Sequence, residues 1–168
     1  MADLDQVKLA AQAYIYGYPL VYNLTELAKF PAGTSLLGVP APFNRFASAR
    51  ALLGPEAKFV TPNNDTLYVI AACDLRDGPL VLEVPDTGDR YYVLQFVDAW
   101  TNNFAYVGTR ATGNRAGAFL LALEGYSGPV PDGLPVVEAP TPVFAIVGRV
   151  ACDGPDDLPA VHVVQDGF

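Results

Sequence analysis

The residues best suited to chemistry are short amide and carboxylate side chains in the stretch from Phe59 to Tyr68. Asn63, Asn64 and Asp65 stand next to each other there, between a proline turn and a run of strand-forming residues. A rigid scaffold can hold such polar groups at its rim, where binding and catalytic residues are concentrated. Asn and Asp are also the commonest turn residues, because they bond their own backbone and tolerate left-handed dihedral angles. The stretch therefore predicts either a site or an Asx-turn that leads into a strand.

A second acid, Asp98, is expected to lie near Asp65. Asp65 precedes one predicted central strand, and Asp98 ends another. If these strands are antiparallel neighbours, the start of the first lies beside the end of the second. The two acids are therefore the candidate catalytic residues. The candidate ligand-binding residues, expected at the same rim or beside it, are Asn63, Asn64, Tyr68, Arg90, Tyr92, Trp100, Asn102, Asn103 and Arg110.

This set of residues is compatible with three kinds of chemistry. Amides and carboxylates could position a polyol, a sugar or another small metabolite against the rings of Tyr68, Tyr92 or Trp100. The two acids could carry out cofactor-free acid and base chemistry if burial separates their pKa values. Hard oxygen ligands could instead hold a divalent cation such as Ca²⁺ or Mg²⁺.

A purely structural interpretation is also open. Asp65 and Asp98 would then pair with Arg90 or Arg110 and only stabilise the sheet, since buried charges are normally paired. The chain would be a non-catalytic binding module, or a structural or interaction module. His162, the only histidine, is expected to be a surface residue rather than a base. The sequence contains no nucleotide-binding loop, nucleophile elbow, zinc motif or dinucleotide fingerprint, so no cofactor is expected apart from the cation alternative.

The composition indicates a folded and strand-rich chain. Of its 168 residues, 51% are apolar, and 15 glycines and 15 prolines interrupt the sequence at short intervals. This length suits one domain, expected over residues 1–168, and frequent turn residues favour short strands. Cys73 and Cys152 have neither zinc-ligand spacing nor the density of a disulfide scaffold, so both are expected to be buried free thiols.

The charge distribution argues against two classes of partner. The net charge is −8, and the ten basic residues are not clustered. The chain therefore offers no electrostatic footprint for a nucleic acid or for an anionic membrane surface. Its start is acidic where a signal peptide would be basic, and no apolar run approaches about 18 residues. A cytoplasmic location is expected.

The elements that must position the candidate residues begin with a helix over residues 3–30. Apolar residues recur there at intervals of three and four, which places them on one helical face. Pro19 predicts a kink, because proline lacks an amide donor and its ring clashes with the carbonyl of Ile15. The tyrosines of this helix are expected to pack on the sheet with their hydroxyl groups at the surface.

A β-rich core is predicted over residues 59–150. Six segments are rich in aromatic or β-branched residues and are bounded by turns at the spacing of a sandwich or barrel. They are Thr66–Asp74, Leu80–Val84, Arg90–Asp98, Asn103–Val107, Ala116–Leu123 and Val143–Val150. The third is apolar on both faces, so it is expected in the interior, between a second sheet layer and the aromatic helix.

The remaining segments predict little regular structure. Residues 43–57 favour a short helical turn, and the segment after Leu123 is too rich in glycine and proline for long elements. Asp156 and Asp157 precede a short periodic run, which predicts a C-terminal helix over 155–165. The expected fold class is α+β, mostly β: a kinked N-terminal helix packed on an antiparallel β-sandwich or partly open barrel, with a short C-terminal helix.

Five motifs in order carry a family resemblance. They are Tyr14–Leu20, Thr61–Tyr68, Gly78-Pro79, Gly88–Tyr92 and Asp98–Asn103, and matches extend to Gly108–Arg110 and Gly148–Val150. Over about residues 3 to 165 the chain resembles the family catalogued as domain of unknown function 1254. The resemblance implies a helical segment on a β-rich, sandwich-like domain, and it implies no settled reaction.

The resemblance also bears on partners. Members of this family are often exported and usually continue into a second β-rich domain, domain of unknown function 1214, whereas a stand-alone form with neither feature is expected here. A lone domain with a mean hydropathy of +0.24 should expose a large apolar patch. We therefore expect a homodimer, or a separately encoded partner that covers the same surface.

Overall fold

Eight strands in two sheets and two helices make up the part of the chain that the computed structural model describes, residues 4–34, 40–55, 57, 61–131 and 133–168. The helices are α1 (Leu4–Leu27) and α2 (Leu158–Gln165), and a 3-10 turn over Pro155–Asp157 precedes α2. The strands are β1 (Phe46–Ser48), β2 (Thr66–Asp74), β3 (Leu80–Val84), β4 (Tyr92–Val97), β5 (Asn103–Gly108), β6 (Gly117–Leu123), β7 (Val136–Ala139) and β8 (Val143–Ala151). The predicted mostly-β, α+β sandwich is confirmed. Phe59 and Val60, like residue 3, lie outside the described residues.

The larger sheet is built around the last strand of the chain. Its order is β1-β2-β8-β4-β5, and every neighbouring pair is antiparallel. The smaller sheet has the order β3-β6-β7, in which β6 and β7 are parallel. Because β8 pairs with β2 on one side and β4 on the other, those two strands run in the same direction without touching.

The alternation predicted for the third strand is confirmed. Tyr92, Leu94 and Phe96 of β4 are fully buried, and they join inward-facing residues of both sheets in one apolar core. The intervening residues of β4, among them Gln95, are half-buried on the opposite face. Cys73 and Cys152 are buried free thiols, as expected.

Two strands were not predicted. Residues 46–48, where a helical turn was expected, form β1 by pairing Ala47 with Ile70 of β2. Residues 136–139, expected to be irregular, form β7 by parallel pairing with β6. Both strands have only three or four residues. Segments so short are held by pairing with a longer neighbour, and such tertiary context outweighs local preference.

Helix α1 lies against the sheet only near its C-terminal end. Leu27 and, just beyond the helix, Phe30 are buried against the face of the larger sheet that carries Tyr68 and Ile70. The tyrosines expected to pack on the sheet are exposed instead, Tyr16 by 73%. That prediction was wrong because periodicity identifies an apolar helix face without identifying what it contacts.

The helix runs through Pro19 as one element. Further along, Asn23 Nδ2 donates hydrogen bonds to the carbonyl oxygens of Asp98, at 3.0 Å, and Ala99, at 3.2 Å. None of the helices in the described part of the chain combines the length and the apolar character needed to cross a membrane.

Candidate functional site

The two candidate acids lie at opposite ends of the larger sheet. Thr66, the neighbour of Asp65, pairs with Ala151 of β8, whereas Val97, the neighbour of Asp98, pairs with Ala145. At about 3.4 Å per residue, these two positions of β8 are about 20 Å apart. The prediction of one shared rim was wrong, because it assumed that β2 and β4 are antiparallel neighbours. β8 lies between them and makes them parallel to each other.

Asp98 is the first residue of the connection between β4 and β5. Its side chain is 96% buried, since only 4% of the residue is exposed. Oδ1 accepts a hydrogen bond from the amide of Asn102 at 2.8 Å, and Oδ2 accepts one from Asn102 Nδ2 at 3.1 Å. Nearby, the ring of Trp100 lies 5.1 Å from that of Tyr16 on α1. At this end of the sheet, Asp98 and Asn102 hold a turn.

Asp65 and Asn64 are exposed at the other end of the sheet. The Asp65 carbonyl accepts a hydrogen bond from the Cys152 amide at 3.2 Å. Its carboxylate forms no ion pair within the described ranges, and neither does that of Asp98. The purely structural interpretation was therefore wrong about the partners of these acids.

The Asn63 side chain closes the turn that leads into β2, as in the turn alternative of the sequence prediction, although its bond reaches one residue further than that of an Asx-turn. Its Oδ1 accepts hydrogen bonds from the amide of Thr66 at 3.1 Å and from its hydroxyl at 2.5 Å. The Asn63 amide donates to the hydroxyl of Tyr68 at 3.2 Å. The Nδ2 group of Asn63 is buried and has no hydrogen-bond partner. The turn therefore leaves one buried donor pointing at no acceptor.

Three other candidates make separate contacts within the fold. Arg90 donates to both carboxylate oxygens of Asp157, at 2.5 and 2.7 Å. This bond, more than any other, lowers the pKa of Asp157 from 3.8 to about 2. Tyr92 is 0% exposed in the core, and burial raises its pKa. Arg110 is exposed, with its guanidinium 5.7 Å from the centre of the Tyr91 ring.

A line of polar side chains crosses the outer face of the larger sheet, which lies opposite the core between the sheets. The segment at the end of α1 covers this face in part, and Tyr68 is buried beneath it. Arg149 Nη1 on β8 donates to Gln95 Oε1 on β4 at 3.2 Å, and Gln95 Nε2 donates to Asn103 Oδ1 on β5 at 2.7 Å. On the other side, the Arg149 guanidinium lies 5.6 Å from the centre of the Tyr68 ring on β2. With Asn63 bonded to Tyr68, these five residues are called the polar line.

Arg149 is the charged residue of this line, and it has no acidic partner. It is half-buried beside β4, where its register partner is Val93. Arg50, Arg76 and Arg90 pair with carboxylates, whereas Arg149 forms no ion pair with any described residue. A guanidinium has five N–H donors, and one of them is used by Gln95. No other described residue accepts a hydrogen bond from this guanidinium.

Sequence reasoning found three members of the polar line and missed Gln95 and Arg149. A signal for both was present. Arg149 is the one charged residue between Val143 and Ala151, and Gln95 is the one polar side chain between Tyr92 and Val97 apart from the tyrosine itself. With a period of two, each falls on the face opposite the core. Packing of the core does not require a polar side chain on the opposite face of a central strand, so such a side chain is a candidate for another role.

Two concave regions of the described surface contain no candidate residue. One is an apolar cavity of about 80 Å³ between the sheets, lined by Phe46, Cys73 and Leu82 among others, where burial raises the pKa of Cys73 to about 12. The other lies beside α2, with Arg50 and Phe168 in its lining. In the described ranges, no group of three or more His, Cys, Asp or Glu side chains is placed to hold a metal ion.

The fold and the polar line define a class of two-sheet, mostly-β domain with a long exposed N-terminal helix and a polar outer sheet face. The family model described as "Protein of unknown function (DUF1254)" matches residues 43–168. The chain belongs to this family, as the motifs at Thr61–Tyr68 and Asp98–Asn103 indicated. No curated protein matches the chain.

Solved structures extend the similarity beyond the family match. The crystal structure of the VPA0106 protein from Vibrio parahaemolyticus is 26% identical, with a TM-score of 0.75 over 95% of this chain and 36% of that one. An uncharacterized protein from Burkholderia cenocepacia is 16% identical, with a TM-score of 0.43 over 94% of this chain and 46% of that one. The chain spans little more than a third of the length of the Vibrio protein.

Proposed function

We propose that this domain is a non-catalytic binding module for a small polar metabolite, which lies along the polar line on the outer face of the larger sheet. The observation that carries the proposal is the line itself. The five residues come from four strands and the preceding turn. Side-chain hydrogen bonds join Arg149, Gln95 and Asn103. The Arg149 guanidinium lies near the Tyr68 ring, and the backbone amide of Asn63 donates to the Tyr68 hydroxyl. The core between the two sheets lies on the other side of the larger sheet, so it does not account for these polar groups.

The groups of the line have unused capacity for hydrogen bonds. Arg149 has donors beyond the one that Gln95 accepts. Amide and guanidinium groups of this kind bind the hydroxyl or carboxyl oxygens of small metabolites, including polyols and sugars.

An aromatic surface lies next to these groups. Tyr106 on β5 is the register partner of Gln95 and is 49% exposed. Register partners stand on the same face of a sheet with their Cβ atoms about 5 Å apart. The Tyr106 ring therefore offers an apolar platform beside the polar groups, as sites for polyols and sugars commonly do.

The proposal favours binding over acid and base chemistry. The paired-acid mechanism needs Asp65 and Asp98 at one substrate, and they stand at opposite ends of β8. Asp98 is engaged by Asn102 through both oxygens. Binding needs only the polar line, whose members are connected.

The test is an NMR titration of ¹⁵N-labelled protein with glycerol, glucose, acetate and succinate as probes. We expect at least one probe to shift the side-chain amide signals of Gln95 and Asn103 in a saturable manner. Gln95→Ala should weaken that binding at least fivefold, whereas Gln12→Ala on the exposed surface of α1 should leave it unchanged. Signals of the polar line that no probe moves, or equal binding in both variants, would overturn the proposal.

A further inference from the structure

We infer that the ligand of the polar line carries a carboxylate group, and that Arg149 is the residue that binds it. The inference rests on the proposed function and adds the chemical class of the ligand. It is carried by the position of Arg149, which forms no ion pair with a described residue and lies on a sheet face whose other charged strand residue, Asp74, is paired with Arg76.

The surroundings of Arg149 leave its charge only partly compensated. Its register partner across β4 is Val93, and Val147 lies two residues away on the same face of β8. A charge removed from water in this way is normally paired with an opposite charge. The Tyr68 ring attracts the guanidinium, but more weakly than a carboxylate does. A negative group of the ligand would complete the pairing.

The neighbouring residues also fix the plane of the guanidinium. Tyr68 lies on one side of it, and Gln95 accepts from Nη1. Gln95 is itself held by Asn103 at 2.7 Å. Two parallel N–H groups of a guanidinium match the two oxygens of a carboxylate, so a fixed guanidinium binds a carboxylate with little further loss of entropy.

A carboxylate fits this arrangement better than a phosphate. Arg149 is the one basic residue among the five of the polar line, and no second arginine or lysine of the described residues shares a hydrogen bond with them. Phosphate groups are usually bound by several cationic or backbone donors together. The net charge of −8 also disfavours the more highly charged anion, although salt screens distant charges beyond about 8 Å under physiological conditions.

The test compares acids with matched neutral amides on the whole chain. Acetate and succinate are titrated against acetamide and succinamide, with inorganic phosphate as a third arm, while the Arg149 Nε–H and Gln95 side-chain signals are followed by NMR. We expect saturable shifts with a carboxylate and at least tenfold weaker binding of the corresponding amide. Arg149→Gln should weaken carboxylate binding at least tenfold, and Arg149→Lys should also weaken it because lysine lacks the planar pair of donors. Arg115→Gln, at an exposed arginine, is the matched control and should leave binding unchanged.

Each result decides for or against the inference. Amides or glycerol that bind the polar line as tightly as the acids would overturn it and leave the proposed function standing. Phosphate binding tighter than carboxylate would overturn it as well. If none of these probes moves the signals of the line, the inference and the proposed function both fail. The acid-to-amide comparison uses the unaltered protein, so it decides even if an Arg149 variant does not fold.

Discussion

At the scale of single residues, the pair formed by Arg90 and Asp157 connects the end of the chain to the larger sheet. Arg90 also donates to the carbonyl of Ala151 at 2.8 Å, and the Asp153 amide donates to Asp157 at 2.9 Å. These bonds favour the ionised carboxylate, which is why the pKa of Asp157 falls to about 2. The pair therefore ties the turn before α2 to β8.

This pair predicts a pH dependence of stability. Because the folded pKa of Asp157 lies below its ordinary value of 3.8, the stabilisation is present above about pH 4 and is lost as the pH falls towards 2. Asp157→Asn should lower the melting temperature at pH 7, and its difference from the original protein should shrink between pH 4 and pH 2. Asp156→Asn, at the exposed neighbour, is the control. A difference that stays constant down to pH 2 would contradict the role given to this pair.

At the candidate site, the features that depend on neighbouring residues in the sequence were predictable. The turn at Asn63 was one of two predictions for its stretch, because turn chemistry is encoded locally. The distance between Asp65 and Asp98 is set by a strand that begins 45 residues after Asp98 in the sequence. Nothing in the local pattern indicates that β8 lies between β2 and β4. The residue types at the site were predictable, and their grouping was not.

At the scale of elements, the longer strands were predicted closely. β2 and β3 have the predicted bounds, and the bounds of β5, β6 and β8 differ by one residue. Their alternation of apolar residues reflects burial, which is strong enough to be visible locally. β1 and β7 show no such alternation, since they form by pairing with β2 and β6. The contacts of α1 were also mispredicted, because the apolar face of a helix does not show which part of the protein it contacts.

The centre of the larger sheet has a strict steric requirement at Gly148. A Cβ atom at this position would lie 2.6 Å from the Val69 carbonyl oxygen and 2.6 Å from Leu94 Cδ2. Gly148→Ala should therefore destabilise the protein by about 1–3 kcal/mol, the usual cost of overpacking. Chemical denaturation measures this change. Gly117→Ala in β6 meets no atom within 4 Å, so equal loss in both variants would contradict the steric explanation.

At the scale of the whole molecule, the exposed surface of α1 is the feature most in need of a partner. Tyr14, Tyr18 and Tyr22 form a ladder with ring centres 5.7 Å apart, and Val7 and Val21 are also exposed. At about 150–250 Å² per tyrosine, a half-exposed ladder presents roughly 300 Å² of ring surface. Two copies paired through this ladder and the apolar residues beside it would bury on the order of 1,200 Å², the lower limit of a stable interface.

We therefore expect self-association through α1. Light scattering at micromolar concentration should give a mass above the 17.9 kDa of one chain, rising on tenfold concentration. Tyr18→Glu should return the protein to one chain, because it places a charge in the middle of the ladder. Gln12→Glu, at an exposed position of α1, adds the same charge away from the ladder and is the control. A mass of 17.9 kDa at every concentration would show that the homodimer is wrong and leave a separately encoded partner to be sought.

The central position of β8 has a consequence for the order in which the protein is made. During synthesis on the ribosome, β2 and β4 emerge well before β8, and until then each can pair along one edge only, β2 with β1 and β4 with β5. Tyr68 can contact Arg149, its register partner, only after a further 81 residues have been synthesised. Contacts over such sequence distances slow folding and leave unpaired strand edges open to aggregation. The polar line forms only when nearly the whole domain has left the ribosome, because a chain interrupted before residue 143 lacks Arg149 and the strand that lies between β2 and β4.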